Sequence, residues 1–85
     1  TSYICKQIGE HEYVLSARLE IEKVNETFNL ELPESDEYLT IGGLILNRYQ
    51  SFPKLHEVIE VDNYQFKIIK VTATKIELVR LKVIE

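Results

Sequence analysis

Two adjacent glycines at the start of an otherwise apolar helix constrain this chain more than any other feature. The stretch is Thr40-Ile41-Gly42-Gly43-Leu44-Ile45-Leu46-Asn47-Arg48-Tyr49, and it runs on into Phe52-Pro53 and Glu57. Glycine inside a helix costs about 1 kcal/mol relative to alanine. Two in the first turn predict that something comes close to the backbone there. Thr40 is placed to cap the helix through its hydroxyl. Gly43 stands where a capping box would put Glu or Gln, so that reciprocal bond is missing. Ile41, Leu44 and Ile45 trace a face at three- and four-residue spacing, and Leu46 lies off it. Apolar side chains around so much of the girth predict cover on more than one side. Pro53 disfavours helix at the residue before it and ends the element across Gln50–Phe52. Phe52 is expected to close over the core beneath that turn. Nothing in the stretch is a nucleophile or a metal cage, so it reads as a packing or docking element.

The last third reads as sheet. Glu57–Val61 is a strand, and Asp62-Asn63 is a two-residue connection of a kind that adopts left-handed dihedrals. Tyr64, Phe66 and Ile68 alternate, then the phase slips to Ile69 and Val71. Ile76 and Leu78 alternate, then Val79, Leu81 and Val83 continue on the other phase. Slips on neighbouring strands imply a bulge or cover on both faces. Lys67, Lys70, Glu77, Arg80 and Lys82 interleave with the aliphatics, and opposite charges on facing strands would help set register.

Before the double-glycine helix, Tyr3–Ile8 and Glu12–Leu15 read as two short strands joined by Gly9-Glu10-His11. Ser16 is a candidate cap for a helix whose apolar positions are Leu19, Ile21, Val24 and Phe28, with Asn25 or Asn29 helping the chain turn at its end. Glu31–Glu37 is a loop with Pro33 and four acids, and it lacks the glycine and spacing of an EF-hand. The order is β-β-α-α-β-β-β: a small α+β domain with two helices packed on a mainly antiparallel sheet.

Composition narrows the function by exclusion. The 85 residues suit one domain. Ten Lys and Arg against 14 Asp and Glu give a net charge of -4. That balance argues against nucleic acid and an anionic membrane surface, while leaving room for a small basic patch. No apolar run approaches the ~20 residues of a membrane span, so this segment is not expected to insert. Cys5, the only cysteine, cannot form an internal disulfide and is expected to pack as a small core residue in its strand. His11 and His56 form no nucleophile–base–orienter set with it. A start at Thr1 and the absence of Met suggest a piece of a longer protein.

The sequence resembles the CorC/HlyC transporter-associated family across most of its length. Leu19, Val24 and Asn25 match the first helix of the family pattern, and Leu32-Pro33 the loop. Thr40, Gly42, Gly43, Leu44 and Ile45 match the central helix start, and Pro53, Glu57 and Val58 the turn into the next strand. Phe66, Ile68, Ile76, Val79 and Val83 match the hairpin. The family usually carries glycine where His56 stands, and histidine there argues against a shared left-handed turn.

The resemblance implies a cytoplasmic, non-catalytic accessory or regulatory domain of a hemolysin-like or magnesium and cobalt efflux protein. Such proteins place it after a membrane domain and a pair of CBS domains, so those domains, and a second copy, are the expected partners. The fold resembles one seen in some flavin-binding oxidoreductases, but the G-x-G-x-x-G context is missing and no cofactor, metal or catalytic residue is assigned. Tyr38, Tyr49 and Phe52, around the ends of the central helix, are the candidate docking residues, since aromatics anchor interfaces. Thr40, Gly42, Gly43, Pro53 and Glu57 form the structural motif. Alternative readings are an interaction module unrelated to transport, or a nucleotide, flavin or cation site that uses the N–H groups at Thr40–Gly43 or the acids Glu34, Asp36 and Glu37.

Overall fold

The computed structural model describes residues 3–84. The elements form in the expected order: β1 (Cys5–Gly9), β2 (Glu12–Ser16), α1 (Ile21–Phe28), α2 (Ile41–Tyr49), β3 (Val58–Val61), β4 (Tyr64–Val71) and β5 (Ile76–Val83). The strands make one antiparallel sheet in the order β1-β2-β5-β4-β3, so the last three form a meander and β2 adds to its β5 side. Two helices on such a sheet give an α+β domain. The accessible surface is 5504 Å². That is close to the roughly 5,200 Å² expected of a folded chain of this mass.

Alternation along the strands decides what is buried. Leu15, Phe66, Ile68, Val79 and Leu81 point into the core, where Ile21 and Val24 of α1 and Ile41, Leu44 and Ile45 of α2 cover them. Residues of the other phase face outward. The two phase slips are complementary bulges. Ile68 pairs with Val79 and Lys70 with Leu78, which leaves Ile69 extra on β4. Lys70–Leu78 is then followed by Val71–Ile76, which leaves Glu77 extra on β5. Each strand gains one unpaired residue, so the register is restored and both Ile68 and Ile76 stay inside.

The two helices share a starting point. Ile21 N–H donates to Leu39 O and Ile41 N–H to Leu19 O, both at 3.0 Å, so the segments leading into α1 and α2 form a two-bond bridge. Ser16 therefore caps neither helix. Its hydroxyl accepts from Ile4 N–H at 2.8 Å, and Glu20 occupies the α1 cap position with no side-chain bond. The helix ends at Asn29, left-handed with φ 55°. Asn25 fixes the following loop: its side chain accepts from Leu32 N–H and donates to Leu32 O. Tyr64, reaching across from the sheet, accepts from Glu31 N–H at 2.8 Å. At the β3–β4 turn only Asp62 is left-handed, not Asn63.

Two packing expectations fail in the same way. β1 is an edge strand exposed along its whole length, so Cys5 is exposed and not in the core. Phe52 is exposed as well, and the residue that closes over the core beneath the α2 exit is the fully buried Pro53. Leu46 also stays exposed, so the cover of α2 beyond its core face is confined to the first turn, where Ala17 and Tyr38 pack on Gly42 and Gly43.

Candidate docking surface

The site is built from α2, and its two ends behave differently. At the start, every N–H of the first turn is used internally. Ile41 donates to Leu19 O, Gly42 to Ala17 O at 2.9 Å, Gly43 to Thr40 Oγ1 at 3.1 Å, and Leu44 to Thr40 O. This is the capping role expected of Thr40. It also removes the free donors that an anion would need. The approaching element that the glycines imply is the β2–α1 connection and Tyr38. A Cβ on Gly42 would lie 3.3 Å from Ala17 O, and one on Gly43 would lie 3.0 Å from the Tyr38 Cβ. Neither glycine has a positive φ, so both serve close approach and not backbone freedom.

Tyr38 is half-buried, its hydroxyl donates to Pro33 O at 3.0 Å, and its Cβ packs at Gly43. Its contacts hold the acidic loop against the helix start. Within that loop Glu34 accepts from Asn25 and Glu37 from Asn47. Among the described residues no three His, Cys, Asp or Glu side chains converge as a metal site.

The far end of α2 presents apolar side chains to solvent. Tyr49 is 38% exposed and Phe52 39%, and the turn that follows adds Leu55 at 51% and Val58 at 50%. Tyr38 precedes the opposite end of the helix, so it is not part of this shoulder. Nothing in the sequence marks Leu55 or Val58 as a docking residue by its aromatic character. Val58 does carry a signal, because it is off the Ile59/Val61 alternation and so has to face outward. Leu55 carries none beyond being an aliphatic residue in a turn already closed by proline.

The shoulder is braced. Gln50 ends α2 in a left-handed conformation, φ 58°. Glu57 ties the turn together: one carboxylate oxygen accepts from Lys54 N–H at 2.9 Å and the other from the Tyr49 hydroxyl. Glu57 N–H donates to Lys54 O, and the backbones of His56 and Glu57 bond to Ile68 on β4. Glu57 thus acts as the clasp of the α2–β3 turn. His56 adopts the left-handed conformation, φ 69°, that histidine argued against. Its N–H donates to Ile68 O at 2.8 Å, and that bond holds it there. The conformation costs a non-glycine residue on the order of 1 kcal/mol. Arg48 pairs with Asp62 at 3.7 Å beside this turn. Cys5 is exposed as a residue, but partial desolvation pushes its thiol up from its ordinary range, which disfavours the thiolate a nucleophile needs. No described helix is long and apolar enough to cross a membrane.

Known proteins resemble this chain over nearly its whole length. Residues 6–85 match the profile of CorC_HlyC, the transporter associated domain. The magnesium and cobalt efflux protein CorC of Escherichia coli strain K12 is 32% identical over 78 residues, which is 92% of this chain and 26% of that protein. The chain therefore spans about a quarter of the curated relatives it matches. A transporter associated domain CorC_HlyC from Nitrosomonas europaea superposes with a TM-score of 0.82 at 24% identity, covering 98% of this chain and 99% of that one. The corresponding domain of a Xylella fastidiosa Temecula1 hemolysin, solved in complex with Mg++ and Mn++, gives a TM-score of 0.79 at 16% identity over 96% of this chain and 99% of that one.

Proposed function

The chain belongs to the CorC_HlyC family of transporter associated domains, and from that premise we propose that it is a non-catalytic accessory and regulatory module of a larger hemolysin-like or magnesium and cobalt efflux protein. In this reading residues 1–85 form one domain of a membrane protein, held on the cytoplasmic side. Its shoulder of Tyr49, Phe52 and Leu55 seats against the parent's CBS domains. The observation that carries the reading is the group of exposed apolar side chains on a turn fixed by the Glu57 clasp and buried Pro53. A braced apolar projection loses little freedom on docking, so more of its contact energy goes into affinity. Aromatic anchors of this kind carry much of the energy where they find a pocket. The chain matches 26% of the Escherichia coli relative's length, so there is room in a parent of that size for a partner surface, which supports the reading.

Mechanically, sensing and transport take place elsewhere in the parent, and this domain carries or limits the rearrangement that couples them. The test uses the full-length parent with Phe52→Ser and Leu55→Ser together. Mg²⁺ or Co²⁺ efflux, its regulation and assembly of the parent are measured, with melting of the 85-residue segment as the folding check. The expected outcome is altered regulation or assembly with the fold intact. Unchanged efflux, regulation and assembly would overturn the proposal. A change traced to contacts between two copies of the domain would replace the CBS partner with self-association.

A further inference from the structure

The outer face of the sheet carries a charge arrangement that the fold itself does not need. Pairing register places Lys6, Val14, Arg80, Lys67 and Val58 in one row across all five strands. The next row holds Glu12, Lys82, Gln65 and Glu60. Adjacent strands lie about 4.8 Å apart, so the three cations of the first row span roughly 14 Å. Lys67 and Arg80 face each other directly, which is destabilising for like charges on neighbouring strands. Arg80 is partly compensated by Glu12, whose carboxylate accepts from its Nε at 2.9 Å. Glu60 takes its bond from Gln65, and neither Lys67 nor Lys82 is among the described ion pairs. Meanwhile half of the chain's 14 acidic residues lie between Glu20 and Glu37, with Lys23 the one cation there. The net charge of -4 conceals this separation of charge between the sheet and the α1–loop region.

We propose that the outer sheet face is a second docking surface, for an acidic extended polypeptide segment of a protein partner. The cations are strung along an open face and not gathered around a point, so a single phosphate would meet at most two of them. An extended segment with a carboxylate at every second position turns all of those carboxylates to one side, where they would meet Lys6, Lys67 and Lys82. Back-to-back stacking of two sheet faces would oppose the same cation rows, which disfavours a second copy as the occupant. A shallow depression of about 260 Å³ lined by Glu12, Val58, Gln65, Lys67, Arg80 and Lys82 lies at the centre of this face. The surface borders the Phe52 shoulder only at Val58 and goes beyond the function proposed above.

The test titrates the 85-residue chain into a fluorescein-labelled peptide of alternating Glu and Val, read by anisotropy, with ¹⁵N shift mapping. Affinity should fall at least tenfold between about 50 and about 300 mM salt, because the attraction is between exposed charges and is screened. It should fall at least tenfold again in Lys67→Glu/Lys82→Glu, and shifts should centre on Lys6, Val14, Lys67 and Arg80. Phe52→Ser should leave peptide affinity unchanged, which separates failure here from failure of the shoulder. If the double variant melts early, Lys67→Gln alone should still weaken binding about threefold. Equal binding by the charge variants, or shifts confined to residues 20–37, would overturn the proposal. So would capture by vesicles containing phosphatidylserine without capture of the peptide, or concentration-dependent self-association abolished by the same substitutions.

Discussion

The two ends of α2 both carry apolar side chains in sequence and have opposite uses in the fold. At its start, the first-turn N–H groups bond internally to Leu19, Ala17 and Thr40, and Gly42 and Gly43 admit Ala17 and Tyr38 at close range. At its finish, Tyr49, Phe52 and Leu55 face outward from a turn that Glu57 and Pro53 hold rigid. Hydrophobicity alone does not separate structure from interface. The difference lies in where the backbone bonds go. An element whose polar groups are all satisfied internally contributes stability, and a braced element with uncovered apolar surface is available to a partner.

Substitutions at the two ends should therefore part company. The largest effect is expected of Gly43→Val, which must displace Tyr38 from a 3.0 Å approach while Tyr38 is tethered to Pro33. Overpacking of this kind should cost about 2 kcal/mol in urea unfolding. A loss below about 0.5 kcal/mol would show that Tyr38 yields easily and would weaken the close-approach account. Thr40→Ala removes the side-chain cap on α2, and should cost about 1 kcal/mol. His56→Gly sharpens the contrast from the other end, because it relieves a left-handed residue at φ 69°. Stability should rise by about 0.5 kcal/mol, since the strain relieved exceeds the chain entropy that glycine adds. Destabilisation by that change would mean that the imidazole makes contacts that matter. Phe52→Ser is expected to move stability by less than about 0.5 kcal/mol, because an exposed side chain contributes little. A drop of about 2 kcal/mol or more would return Phe52 to the core role that its ring suggests.

Much of this architecture can be read from the chain, because local rules and tertiary packing agree there. Thr40 caps as its position implies, Asn29 makes the left-handed exit of α1, and the phase slips after Ile68 and Leu78 correspond to paired bulges. What cannot be read depends on contacts distant in sequence. Ser16 has the character of a cap but meets Ile4, because the bridge between Glu20 and Thr40 sets where α1 begins. Phe52 outranks Pro53 in hydrophobicity, yet the turn geometry buries the proline. Cys5 has the character of a small core residue but lies on an edge strand that nothing described covers. The candidate site shows the same division. Tyr49 and Phe52 are legible as aromatics near a helix end, whereas Tyr38 belongs to the packed end of the helix. The cation row on the sheet is not legible, because it exists only in the cross-strand register.

The most direct test is site-specific photo-crosslinking in the full-length parent, with benzoylphenylalanine in place of Phe52 and, as a control, in place of Glu26 on the exposed face of α1. The account predicts a crosslink from position 52 into the CBS domains and none from position 26. Absence of a crosslink at 52, or equal yields at the two positions, would contradict it.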